Sequence, residues 1–388
     1  MPSSVGTPPS RADGDMRASL TPRPRRARVF AFTAGDPYTS CFNAALRAIG
    51  VDVVEADWSG RWLLGKVRRG DLLHLHWPSF MYEPSGSRIR VAWRLLRFAA
   101  LLSLLRARGA HIVWTAHNLY PHDDGRSLAN RIGRRIVVRL SSWVCVHGPK
   151  AMECVQAEFG IPSAALVLLE HGNWIDYYSN TVTRELARKR LDLPRDGFVY
   201  LFVGLCKPYK NLELLVRSHA ALADASLLWI VGSFQSDDYR EQVQQAVALA
   251  DTARVTVLDA FVASADLQLY LNACDAVVLP YREILTSGAA MLALSFGRPV
   301  VGPRMGALEE LVTEDCGVLY DPQDAGGLVE AMQTVKRRHF EPGRILARAR
   351  QFSWTRSAES FVRAVRDELA ASGRRRFGGL VRRVLGRD

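Results

Sequence analysis

The feature that most constrains this chain is an alternation that starts twice. Short apolar runs at Arg28–Thr33, Val51–Glu55, Leu72–His76, His111–Ala116, Trp143–His147 and Ala165–Leu169 are separated by longer segments, among them Cys41–Ile49, Arg88–Arg108, Leu128–Leu140 and Lys150–Phe159. The short runs suit strands buried on both faces, and the longer ones place apolar side chains along one helical stripe. After a helix at Arg184–Leu191 and a turn at Pro194–Gly197, the pattern restarts. Strands follow at Phe198–Val203, Ser226–Val231, Arg254–Leu258, Ala276–Leu279, Pro299–Gly302 and Gly317–Tyr320. Strand and helix in alternation predict an α/β chain with two parallel, doubly wound sheets, joined by a linker near Asn173–Thr183. Such sheets bind ligands at the carboxyl ends of their strands, so two facing halves line an interdomain cleft.

With 388 residues, 48% of them apolar, the chain can build two full cores. Much of the net charge of +12 sits at the ends: arginines 11, 17, 23, 25, 26 and 28 at one, and 374, 375, 376, 382, 383 and 387 at the other. Residues 1–27 are Pro/Ser/Arg-rich without the apolar stretch of a signal peptide, and read as a disordered leader. The six cysteines are scattered without a CxxC pair, as expected of buried, reduced thiols in a cytoplasmic protein. Val91–Leu105 is apolar but interrupted by Arg94 and Arg97 and shorter than a span of ~20 residues. It predicts a helix with one buried face, with monotopic membrane contact as the alternative. The C-terminal GRRRFGGLVRRVLGRD mixes arginine with Phe377, Leu380, Val381, Val384 and Leu385, a pattern that suits an anionic lipid surface. No nucleic-acid recognition motif accompanies the basic charge.

Two loops carry the chemistry. In FVGLCKPYKN (202–211) an apolar strand runs into Gly204, then a loop with Lys207 and Lys210, then a helix near Asn211. In PYREILTSGAAMLALSFGRPVV (280–301) a strand ends in a loop that places Ser287 and Gly288 at a helix start. Two lysines and a glycine-bearing helix N-terminus suit a diphosphate. Three histidine-bearing segments follow strands of the first half: His74-Leu75-His76-Trp77-Pro78, Ala116-His117-Asn118-Leu119 with His122 and Asp123 beyond it, and His171-Gly172-Asn173-Trp174. They lack the paired spacing of metal ligands, so no metal site is expected. The GxGxxG signature is absent around Gly35, after the first strand, which argues against a nicotinamide dehydrogenase.

Together these segments resemble the GT4-like glycosyltransferases of GT-B fold, which move a sugar from a nucleotide-sugar, and the resemblance runs from Arg28 to Ala371. It implies an acceptor-side domain over 28–180, a nucleotide-sugar domain over 181–352, a helix over 353–371 crossing back to the first domain, and a basic amphipathic tail over 372–388. It implies that Lys207, Lys210, Gly204, Ser287 and Gly288 hold the donor diphosphate. His117 would contact the donor sugar or deprotonate the acceptor hydroxyl, with Asp123 as an alternative base. Asn118, His171, His76 and Gly35 would line the substrate pocket, and Phe261 and Val262 would meet the nucleotide base. Many GT4 members carry a pair of glutamates where this chain has Ile284 and Leu292; Glu283, one residue off, would hold the donor sugar. The segments look like those of bacterial exopolysaccharide and mannosyl transferases, implying GDP-mannose as a substrate rather than a bound cofactor. A lipid-linked saccharide acceptor and peripheral contact with an anionic membrane, on the inner face of the plasma membrane, follow from the same likeness. A non-transferase enzyme of this fold, such as a nucleotide-sugar epimerase, and a silent membrane-recruitment module are the alternatives. Retention or inversion and the acceptor linkage stay open.

Overall fold

The computed structural model describes residues 27–32, 35–83, 85–121, 126–250 and 253–366. The leader and the basic tail therefore lie outside the described residues, as do His122 and Asp123. The first sheet contains β1 (Arg28–Ala31), β2 (Asp52–Glu55), β3 (Leu72–Leu75), β4 (His111–Thr115), β5 (Trp143–Val146) and β6 (Leu166–Leu168), in the order β2-β1-β3-β4-β5-β6. The second contains β7 (Val199–Val203), β8 (Leu227–Val231), β9 (Val255–Leu258), β10 (Ala276–Val278), β11 (Val300–Pro303) and β12 (Gly317–Tyr320), in the order β12-β11-β10-β7-β8-β9. The strand pairings are parallel. Most strands read from the sequence appear with an end trimmed by a residue or two, whereas Gly317–Tyr320 is found as read and Pro299–Gly302 is shifted by one residue to Val300–Pro303.

Each sheet reverses its strand order at one place, between β1 and β3 and between β7 and β10. The same device closes the amino end of both reversals. Asp71 accepts from the Arg28 backbone N–H (3.2 Å) and pairs with the Arg28 guanidinium (2.8 Å). Asp275 accepts from the Val199 N–H (2.7 Å) and pairs with Arg184 and the buried Arg188. Beyond β7 and β8 the backbones touch: a Cβ on Gly232 (φ +152) would lie 1.9 Å from the Gly204 oxygen. Glycine is required there by contact and by φ alike.

Some elements begin elsewhere than the sequence suggests. The helix read as Cys41–Ile49 starts at Pro37, because Asp36 caps it through the Thr39 N–H (3.0 Å) and Pro37 takes the first position. Gly60–Lys66 and Ser79–Tyr82 are short helices with too few turns to show a period. The long helix Arg88–Ala107 buries Val91, Leu95, Phe98, Leu102 and Leu105 but leaves Ile89, Trp93, Leu96 and Leu104 in solvent, so its apolar pattern serves more than a core. Four cysteines are buried and all six are free, but Cys154 is exposed.

Residues 354–366 form a helix that returns to the first domain. Phe361 packs against Phe42 and stacks on His74 (5.7 and 5.2 Å between ring centroids). Trp354 donates to the Asn173 oxygen (2.6 Å), lies edge-on to Tyr38, and occupies the space a Cβ on Gly172 would need. Trp354→Ala is expected to cost about 3 kcal/mol, read as a lower urea midpoint. An unchanged midpoint would show that this ring does not hold the crossing helix in place.

Candidate functional site

The two reversals face each other across a cavity of about 480 Å³. From the second domain come Gly204 and Lys210 after β7, and Glu283, Ser287 and Gly288 after β10. From the first come Asp36 and Tyr38 after β1, Trp77 after β3, and His117 and Asn118 after β4, with His171 and Trp174 from the linker side. The cavity thus gathers eight of the residues singled out from sequence: Lys210, Gly204, Ser287, Gly288, Glu283, His117, Asn118 and His171.

Lys210 is the most informative of them. It ends a short turn, Pro208–Lys210, before the helix Leu212–Ala221, and Asn211 links the two with φ +57. Its ammonium sits 3.9 Å from the Tyr281 ring centroid and 4.9 Å from that of Tyr209. The carboxylate of Glu213 is taken by Tyr239 and Arg282, and among the described residues no acid pairs with Lys210. Burial without a counter-ion pulls its pKa down to about 7. On the same wall, the helix Gly288–Ser295 opens on Ser287, whose hydroxyl caps the Ala290 N–H (3.1 Å). An unpaired cation and an open helix N-terminus on one wall can hold an oxyanion.

The other wall presents His117 and His171, with His147 and His76 packed behind them as a cluster of neutral imidazoles. His147 places Nδ1 2.7 Å from the Leu169 carbonyl oxygen, so Nδ1 must carry the proton and Nε2 the lone pair. His117 Nδ1–H then donates to that Nε2 (3.3 Å), and His117 Nε2 accepts from His76 Nδ1–H (3.1 Å). The chain of tautomers ends at His76 Nε2, which has no partner among the described residues. Burial lowers all of them: His147 to about 3, His171 to about 4, His76 and His117 well below the usual range. His117 presents its ring to the cavity, stacked on Trp77 (4.5 Å), but both ring nitrogens are engaged. His171 donates from Nδ1 to the Gly172 oxygen (2.7 Å) and turns Nε2 toward Gly288.

The remaining expectations fall differently. His76 is buried behind His117 rather than on the cavity wall. Gly35 precedes the wall at φ +74; its neighbour Asp36 lines it. Lys207, Phe261 and Val262 are not among the residues lining this cavity, and Phe261 is exposed. Glu283 is an exposed carboxylate on the rim, with Ile284 and Leu292 beside it in the cavity. No group of three or more His, Cys, Asp or Glu side chains is placed to hold a metal ion among the described residues.

Sequence reasoning missed Asp36 and His147. Asp36 sits after β1 at a reversal, and Asp-Pro before a helical pattern is a capping signal that also aims a carboxylate at the crevice. Burial raises its pKa against the hydrogen bonds from Thr39 and Tyr38. His147 closes a strand whose other residues are apolar, and only the neighbouring strand shows that it meets His117.

Comparison with known proteins bears on this geometry. The family model for group 1 glycosyl transferases matches residues 197–337. The chain is 30% identical over 311 residues to a GDP-mannose:glycolipid 4-beta-D-mannosyltransferase of Xanthomonas campestris pv. campestris, covering 79% of this chain and 82% of that one. It is 27% identical over 319 residues to a D-inositol 3-phosphate glycosyltransferase of Corynebacterium glutamicum, covering 77% and 73%. Among solved structures it resembles sucrose-phosphate synthase from Thermosynechococcus elongatus (TM-score 0.67, 19% identity, 90% and 96% covered). It also resembles Anabaena HepE with UDP and glucose (TM-score 0.63, 17% identity, 84% and 89% covered). The two facing sheets and these relatives lead to one conclusion: the chain belongs to the group 1, GT4-like glycosyltransferases of GT-B fold, and is a hexosyltransferase.

Proposed function

We propose that the chain transfers mannose from GDP-mannose to a saccharide carried on a lipid, at the inner face of the plasma membrane. The observation that carries the donor half is Lys210, a half-buried ammonium without an acid partner among the described residues, at the wall that ends in Ser287 and Gly288. A diphosphate supplies the missing counter-charge, and the lysine stabilises the negative charge that develops on it as the sugar leaves, which favours the transition state. Lys207, on the same loop, is proposed to add to that field. The sugar then rests between Glu283 on one side and Asn118, His117 and His171 on the other. The name of the Xanthomonas relative supports mannose, guanosine and a glycolipid acceptor.

That name also specifies a β-linkage, which an α-linked nucleotide sugar yields by inversion, and inversion calls for a base on the acceptor side. We assign this role to Asp36, and keep His117 as a sugar contact. Burial pushes the Asp36 carboxyl up toward the range of a working base, whereas His117 has both nitrogens engaged and is held far below it.

Membrane contact is supported by the first domain. No helix among the described residues is long and apolar enough to cross a membrane. Yet Phe80, Ile89, Trp93, Leu96 and Leu104 are exposed on Ser79–Tyr82 and Arg88–Ala107, amid Arg88, Arg90 and Arg97. Aromatic and aliphatic groups among arginines suit an anionic bilayer surface.

Three outcomes test the reading. In a metal-free thermal-shift screen of GDP, UDP, ADP and TDP, GDP should stabilise the wild type by about 2.7 kcal/mol at a hundred times its dissociation constant. Lys210→Ala should abolish that gain; equal stabilisation of the mutant would overturn the donor site. The pH profile of kcat/KM should be bell-shaped. Its acid limb should lie above the ordinary value of an aspartate, because an Asp36 raised by burial must lose its proton to act. Its alkaline limb should lie near 7, where free Lys210 loses its charge. In kcat that alkaline limb should move up, since bound diphosphate holds the lysine proton. Asp36→Asn should lower kcat by about 10²–10⁴-fold and leave GDP binding intact; a mutant with normal kcat would remove Asp36 from the reaction.

A further inference from the structure

A second basic hollow opens on the first domain. It holds about 720 Å³ and is lined by Arg126, Arg131, Arg135 and Arg139, with Tyr120, Val138 and Phe159. The one acid that lines it among the described residues, Glu158, is already satisfied by Arg126 (2.9 Å) and by the Tyr120 hydroxyl (2.8 Å). Arg131, Arg135 and Arg139 form no ion pair or side-chain hydrogen bond with any described residue. All three stand on the outer face of the helix Leu128–Leu140, whose inner face packs Asn130, Gly133, Arg134 and Val137. Four-residue spacing puts their Cα atoms about 6 Å apart along the axis. Three unpaired guanidinium groups in a row on a concave wall suit linked phosphoryl groups, which the planar fork of arginine grips in pairs.

Position narrows the ligand. The hollow shares Tyr120 and Arg126 with an intermediate cavity of about 680 Å³, which in turn shares Asn118, Tyr209 and Glu283 with the donor cavity. A trail therefore runs from the arginines to the place where the acceptor hydroxyl must arrive. On the same outer face Leu128 and Ile132 are exposed, and the helix packs against Arg88–Ala107 with its own exposed Trp93 and Leu96. An apolar anchor, an anionic junction and a saccharide reaching the cleft would meet these features in that order.

We propose that Arg131, Arg135 and Arg139 form a binding site for the diphosphate that joins the acceptor saccharide to its lipid. The inference rests on the lipid-linked acceptor of the reading above and adds the charged group by which that acceptor is held. The site fixes the acceptor at its phosphates and leaves the distal sugar to reach Asp36.

The test uses the full chain and the variant Arg131→Gln/Arg135→Gln/Arg139→Gln, whose changes lie on an exposed face and should leave the unfolding midpoint and the GDP-induced shift unchanged. Binding of farnesyl diphosphate is measured by calorimetry with the donor site filled by GDP. Transfer is measured to a diphosphate-linked lipid saccharide and to the same saccharide as a phosphate-free glycoside. The wild type should bind farnesyl diphosphate and the variant at least tenfold more weakly. The variant's KM should rise at least tenfold for the diphosphate-linked acceptor only, with kcat little changed. Equal binding by both proteins, or equal KM changes on both acceptors, would overturn the site. So would loss of binding to phosphatidylglycerol vesicles with farnesyl diphosphate binding intact, which would make the arginines a general lipid contact. Arginine-dependent farnesyl diphosphate binding without transfer to any lipid-linked acceptor would instead sink the acceptor reading and leave the anion site standing.

Discussion

Each sheet turns back on itself once, and the two turning points confront each other. Everything chemical in the molecule follows from that arrangement. A parallel sheet opens a crevice only where neighbouring strands leave in opposite directions. Here the crevice between β1 and β3 supplies Asp36 and Trp77, and the crevice between β7 and β10 supplies Lys210 and the Ser287–Gly288 helix start. Asp71 and Asp275 pin the amino ends of the same strand pairs, one to the Arg28 N–H and the other to the Val199 N–H. The distant end of each crevice is thus stapled by the carboxylate that precedes its second strand, and the open end is left for a ligand. The crossing helix adds a third constraint, since Trp354 fits only because position 172 carries no side chain.

The cleft holds its charges in an uneven way. Its first-domain wall is backed by histidines that burial keeps neutral, three of them tied into one tautomer chain that begins at the Leu169 carbonyl. Its second-domain wall holds a lysine whose charged form is disfavoured for want of a partner. An unliganded ammonium in such a place lowers the stability of the empty enzyme below the lysine's ordinary pKa, with the full effect reached below about 7. A ligand that restores the counter-charge relieves that strain, so the site is built for its occupied state. This is the tension between function and stability expected where a binding site carries unpaired charge.

Much of this was legible beforehand. Strand identity was clear because doubly buried strands such as Val199–Val203 are continuous apolar runs, and the lysines and Ser287–Gly288 stood out because chemistry interrupts those runs. The starts of helices were less clear: Pro37–Ala48 begins at an Asp-Pro cap whose meaning depends on the strand before it. Which side chains share a wall was not legible. His76 and His117 are one strand apart in space and 41 residues apart in sequence, and His147 joins them from a third strand. Phe261 is a base contact only by the likeness to the GT4-like loop, and its side chain lies in solvent off the cavity. Exposure of Trp93 and Leu96 on a helix whose pattern promised a core could only come from seeing which stripe its neighbours cover.

The central claim is that Lys210 waits, largely unpaired, for a diphosphate. Calorimetric titration with GDP at pH 8, in buffers of different ionisation enthalpy, tests it most directly. A lysine with a free pKa near 7 is mostly neutral at that pH and must regain its proton when the diphosphate arrives. Binding by the wild type should take up most of one proton, and binding by Lys210→Met none. Binding without proton uptake by the wild type, or the same uptake by both proteins, would contradict it.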